Sequence, residues 1–203
     1  MSLSVHELKA TDPTRFAKEH QAWKCDDLGY DWWDCVCEDA KTQGKEQGFD
    51  IRDIWFDLSY SQGDRAVWEG EVDLREFAKA RGLLTDPVWS AVLAVAGEGY
   101  ADSIMKIYSH GLRSTMRAES MSVNLCVKIE NGVYAGMDSQ DLIDAVGGDA
   151  VFDDIEEDVL TAAEEFAGDI YYQLQDEYEH LISEESFIEY CDCNEVTFKG
   201  EVK

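Results

Sequence analysis

From Phe152 onward the apolar residues Phe152, Ile155, Val159, Ala163, Phe166, Ile170, Leu174, Tyr178 and Leu181 recur at steps of three and four. That spacing lines one face of an α-helix. At 1.5 Å per residue the run makes a rod of roughly 45 to 50 Å. The C-terminal third of the chain is therefore expected to be a single long amphipathic helix.

The polar side of that helix is unusual in its charge. Between Lys128 and Lys199 there is no lysine or arginine, against 21 aspartates and glutamates, so most of the formal charge of −27 is gathered there. A magnitude of about 2 to 8 suffices to keep a small domain in solution. Asp153, Asp154, Glu156, Glu157, Asp158, Glu164, Glu165, Asp169, Asp176, Glu177 and Glu179, followed by Glu184 and Glu185, avoid the apolar stripe and are expected to point outward. Thirteen carboxylates over the rod come to one per roughly 4 Å, close to the 3.4 Å per phosphate along one DNA strand. An ordinary exposed helix gains from Glu to Lys pairs four residues apart, and this one forgoes them. Such an edge repels nucleic acid and anionic membranes and attracts a basic partner. A solvated helix face is the plainer explanation of the same pattern.

Ahead of the rod, Asp12 and Pro13 start a helix that runs to about Trp23, and a second helix is expected over 32–47 with Gly48 as its stop. The period then changes to two. IRDIWFDL and AVWEGEVDL read as strands joined by SYSQGD, and MSVNLCVKI reads as a third strand before the turn signal Asn131-Gly132. In the connection Ser61, Gln62, Gly63 and Asp64 are expected to form a structural turn, because glycine takes positive φ and Gln and Asp side chains can satisfy backbone groups. Helices are expected over 74–81 and 87–112; if the latter continues further, Lys106, His110, Arg113 and Arg117 fall on one face as a basic stripe, and EVTFKGEVK reads as a closing strand.

With two prolines and no Gly/Ser-rich tract, no linker is visible. The expected architecture is α+β: one domain over 1–203, with a small antiparallel sheet from the hairpin, the Met121 strand and the tail, packed against several helices, the longest acidic. Its 1–128 part mixes helix and strand, and its 129–203 part is the acidic helix ending in a short strand. The N-terminus lacks an apolar signal core and the longest apolar run, VWSAVLAVA, is about half of the roughly 20 residues a bilayer needs. A cytoplasmic protein without a membrane segment is expected.

Catalytic signatures are missing: there is no phosphate-binding glycine loop, no G-x-S-x-G and no H-E-x-x-H. Neither a catalytic residue nor a cofactor is assigned. Asp53, Asp57, Asp64 and Glu69 around the hairpin could hold a divalent cation through oxygen ligands, which keeps a metal-dependent enzyme as an alternative. The six cysteines include two C-x-C pairs, Cys35/Cys37 and Cys191/Cys193, whose spacing is poor for zinc, so buried, reduced thiols are expected and no metal site.

Three segments together are familiar: the Trp- and acid-rich helix ending in QGFDI, the strand and turn FDLSYSQGDRAVWEG, and the pair DEYEHLISEESFIEY and NEVTFKG. They resemble a group of bacteriophage proteins whose hairpin carries an SQGDGA-type motif. The likeness covers about residues 30–75 and 174–200, and Arg65 stands where the pattern has its second glycine. The resemblance implies a phage protein, and with the charge pattern it leads to the expectation of an acidic, DNA-mimic-like inhibitor. Its partner would be a basic host or defence protein that binds nucleic acid, with no direct nucleic-acid contact by this chain. A structural or assembly protein that self-associates, for instance as a homodimer, is the remaining alternative.

Overall fold

The computed structural model describes residues 2–26, 31–58, 64–90, 93, 102–112, 117–129, 133–135 and 149–199. They gather into two compact units, one made of residues 1–34 with 173–203 and the other of residues 35–172.

In the first unit the two ends of the chain close on each other. β1 (Ser2–Leu3) pairs antiparallel with β2 (Phe198–Lys199). Between them lie α1 (Val5–Thr11), α2 (Pro13–Asp26) and α3 (Glu184–Cys193). Both β2 and α3 come from the last twenty residues of the sequence, far along the chain from α1 and α2. Local signals start each helix. Ser4 and Glu7 form a reciprocal capping box, the Asp12 carboxylate accepts from Arg15 N–H at 3.1 Å, and Ser183 Oγ accepts from Ser186 N–H at 3.1 Å. Val5, Leu8, Phe16, Phe187, Cys191 and Phe198 form the buried core, edged by Trp23. Long-range polar contacts ring it: Lys9 Nζ to Glu184 at 2.7 Å, His6 to Asp192 at 2.9 Å, and Arg15 Nη1 to the Lys199 carbonyl at 2.7 Å. The buried His20 donates through Nε2 to the Ile182 carbonyl at 2.9 Å, which fixes the proton on that nitrogen.

The second unit opens with α4 (Asp34–Glu46), whose last turn is ended by Gly48 at φ +84°, a conformation open to glycine. Then follow β3 (Phe49–Asp57), β4 (Arg65–Asp73), α5 (Leu74–Ala80), β5 (Asp102–Leu112), β6 (Arg117–Ile129) and β7 (Val133–Ala135). The five strands form an antiparallel sheet in chain order. The long helix α6 (Asp149–Leu181) contributes its residues up to Tyr172 to this unit and the rest to the first. Its buried stripe is Ile155, Val159, Ala163, Phe166 and Ile170, widened by Ala162 and Ala167. Phe49 sits at the centre of the contact, with ring centroids 5.0 Å from Trp68, 5.7 Å from Phe77 and 5.6 Å from Phe166. Aromatic side chains of this size dominate core energetics, at about 1.5–3 kcal/mol each for full burial of an apolar side chain.

The α+β architecture and the long acidic helix agree with the sequence reading, and three local expectations do not. Residues 102–112 are a strand, not the end of a helix. Lys106 and His110 are four apart, a spacing that shares a face in either period, so it could not tell the two apart. In the sheet Lys106 stands opposite Glu71 and Asn124, and His110 opposite Ser120. The expected helical stripe is thereby lost; Arg117 is on β6 and Arg113 lies outside the described residues. Second, the closing strand pairs with β1 and not with the main sheet, because Leu3 and Phe198 bury side by side in the first unit. Third, Glu184 and Glu185 belong to α3, since the long helix stops at Leu181 and Ser183 begins a new one. The turn residues Ser61, Gln62 and Gly63, and Asn131-Gly132, lie outside the described residues.

Candidate functional site

The long helix places its acidic residues by the same periodicity that buries its stripe. At about 100° per residue, Asp154, Glu157, Asp158, Glu164, Glu165 and Asp169 fall within one arc of about 140°, centred away from the buried side. All six are exposed. In the part of α6 that belongs to the first unit, Asp176 and Glu179 are exposed and Glu177 is half-buried. The side chains of Asp153 and Glu156 lie outside the described residues.

Few groups answer this charge. Asp158 accepts from Trp89 Nε1 at 3.2 Å, and Glu165 is 3.9 Å from Arg81, whose guanidinium lies 5.1 Å from the Phe77 ring centre. Glu179 accepts from Gln175 at 3.1 Å. Among the described residues Asp154, Glu157, Glu164 and Asp169 form no ion pair with a base. An exposed array of this kind repels itself, and the repulsion is relieved only by salt or by a bound cationic surface.

The hairpin carboxylates are differently placed. The β3–β4 register shifts between Ile51 and Asp53, which leaves Arg52 as the extra residue of a bulge and sets Asp53 opposite Glu69. Arg52 bonds Asp53 at 3.0 Å and also the buried Glu69 carboxylate. Asp57 stands directly opposite Arg65. The carboxylates proposed as cation ligands thus have arginines beside them, and among the described residues no group of three or more metal-ligating side chains converges. The expected burial of the thiols holds for Cys191 alone of those described fully; Cys35 and Cys193 are exposed, at helix positions facing water, and Cys37 is half-buried.

A feature that sequence reasoning missed lies beside the acidic arc. A cleft of about 410 Å3 opens between the start of β4 and α6, floored by the buried Ala66, Val67 and Ala167. Glu164, Gly168 and Tyr172 follow one another along its helical side at steps of four, while Asp64 and Arg65 stand at its hairpin end. Tyr172 is 64% exposed and meets Tyr171 edge to face, with centroids 5.6 Å apart. One signal was present in the sequence: a glycine inside a long helix costs about 1 kcal/mol relative to alanine and so asks for a reason.

Fold and site together define an α+β protein with a long, one-sidedly acidic helix, and no helix among the described residues is long and apolar enough to cross a membrane. The chain belongs to the family described as Domain of unknown function (DUF8835), which it matches over residues 32–184. Neither a curated protein nor a solved structure matches it.

Proposed function

We propose that this protein is an acidic docking protein that presents the outer face of α6 to a basic, nucleic-acid-binding partner and competes with that partner's nucleic acid. The observation that carries this reading is that, among the described residues of α6 up to Tyr172, the exposed carboxylates lie on one arc, with Arg81 the nearest described base to it at 3.9 Å from Glu165. Carboxylates at such a density can accept the paired N–H groups of arginines that would otherwise hold phosphates. The likeness of the hairpin and C-terminal segments to bacteriophage proteins supports an inhibitor of a host or defence enzyme, acting in the host cytoplasm. The arginines beside Asp53, Asp57 and Glu69 weigh against a metal-dependent reaction at the hairpin.

Immobilised protein incubated with bacterial lysate tests the reading. A specific basic protein should be retained at low salt, lost at high salt, and released by added duplex DNA. Glu157→Gln, Glu165→Gln and Asp169→Asn combined should abolish retention while leaving the circular dichroism spectrum intact. Unchanged retention by that variant, or a captured protein indifferent to DNA, overturns the proposal.

A further inference from the structure

The cleft between β4 and α6 has a composition that selects one kind of side chain. Its floor is apolar, formed by Ala66, Val67 and Ala167. One end of its helical side carries the Glu164 carboxylate, the other the exposed Tyr172 ring, about 12 Å apart along the helix axis at eight residues' rise. Gly168 stands midway, and a Cβ built there would meet nothing within 4 Å. Packing therefore does not require the glycine, although the helix gives up stability to keep it. Its effect is to leave a notch between the carboxylate and the ring.

The geometry points to this notch as a slot for one arginine side chain of the basic partner, an assignment that rests on the docking reading above and locates its anchor. Methylenes of the arginine would lie along the alanine and valine floor. At the Glu164 end the planar guanidinium would donate paired N–H groups to the carboxylate, while the stem reaches back towards the Tyr172 ring, a fit that a strongly hydrated ammonium serves less well. The cleft volume of about 410 Å3 lies within the roughly 300 to 1,000 Å3 typical of binding cavities, ample for a long side chain to enter. The chain's charge of −27 favours a cationic occupant over an anionic one. Arg65, the cation at the hairpin end, stands opposite Asp57 in the strand register, so a carboxylate of the same sheet faces it.

The full-length protein titrated with the blocked peptide acetyl-Gly-Arg-Gly-amide, followed by the ring resonances of Tyr172, tests the slot directly. The arginine peptide should shift those resonances saturably, the lysine peptide should bind roughly tenfold more weakly, and the uncharged citrulline peptide should not respond. Gly168→Leu should remove the response while melting no lower than wild type, and Glu164→Gln should weaken it by roughly tenfold. Absence of a Tyr172 response, an equal response to citrulline or lysine, or full binding by Gly168→Leu overturns the assignment. The two proposals fail separately. Failure of the wild-type protein to capture a DNA-displaceable basic partner, with peptide binding intact, removes the docking reading, whereas capture unaffected by Gly168→Leu removes the slot alone.

Discussion

Trp68 Nε1 donates a hydrogen bond to the main-chain carbonyl oxygen of Ala163 at 3.2 Å, tying β4 to α6 across 95 positions of sequence. Both residues are fully buried, so the indole nitrogen has no water to turn to. Trp68→Phe keeps an aromatic ring in place and removes the donor, and should cost about 1 kcal/mol in urea denaturation. Trp68→Ala should cost about 3–5 kcal/mol, because a cavity opens against Phe49. A phenylalanine variant as stable as wild type would show that the ring alone joins the two elements.

Two glycines should respond to alanine with opposite sign. At Gly70, beside the bulge, a Cβ would overlap the Asp50 carbonyl oxygen, and the neighbour is backbone that cannot move aside. Gly70→Ala should therefore destabilise severely, by more than about 2 kcal/mol. Gly168→Ala meets open space and should stabilise by about 0.5–1 kcal/mol. Thermal melts of the two variants beside wild type decide the matter, and a shift in the same direction for both would contradict the geometry.

Thiol chemistry should separate the cysteines. Burial pushes the Cys191 thiol up to about 11, helped by the neighbouring Asp192 and Glu19 carboxylates, while Cys35 and Cys193 are exposed. Iodoacetamide at neutral pH should modify Cys35 and Cys193 and spare Cys191, as read by peptide mass mapping. Since the folded value lies above the ordinary 9.0, the stability this thiol contributes is complete below pH 9 and is lost as the pH rises through about 11.

At the acid end the relevant pair is Lys9 and Glu184. The hydrogen bond and charge of Lys9 hold the Glu184 carboxyl below its ordinary 4.5. A lowered folded value means that the pair's contribution is present above pH 4.5 and fades as the pH falls through the lowered value. Glu184→Gln should flatten that part of the acid-denaturation curve relative to wild type. Both side chains are half exposed, so the effect should be small at neutral pH.

Salt should raise stability here. The carboxylates of α6 repel one another across the outer arc, and ions screen that repulsion within a Debye length of about 10 Å at 0.1 M. The melting temperature should climb between 10 mM and 0.5 M sodium chloride, and Asp169→Asn should raise it most at the low-salt end. A melting temperature that falls with salt would indicate that the acidic groups are satisfied by bases.

How much of this was legible in the sequence depended on whether the signal was local. The stripe of α6 is set by spacing within one element, and its boundary at Leu181 was marked by Ser183, a cap residue whose role is plain only once Ser186 is seen to donate to it. The β3–β4 hairpin was legible from alternation, yet its bulge at Arg52 was not, because one extra residue changes the register without changing the composition. Residues 102–112 were misread as helix since Lys106 and His110 satisfy both periods, and only pairing with β4 and β6 decides between them. The pairing of Leu3 with Phe198 lies beyond any local pattern. The cleft escaped for a related reason: Gly168 is visible in the sequence, whereas the floor beneath it comes from another strand.

The joining of Ser2 to Lys199 and of Lys9 to Glu184 has a bearing on how the polypeptide matures. A ribosome releases about 5–20 residues each second, so the leading helices emerge many seconds before the segment that must complete their core. Until then Val5, Leu8 and Phe16 have nothing of Phe187 or Phe198 to pack on, while the sheet-bearing unit can already assemble. Helices α1 and α2 are thus made ahead of the sheet-bearing unit yet settle after it, and truncating nascent chains short of Phe187 should leave those helices open to protease.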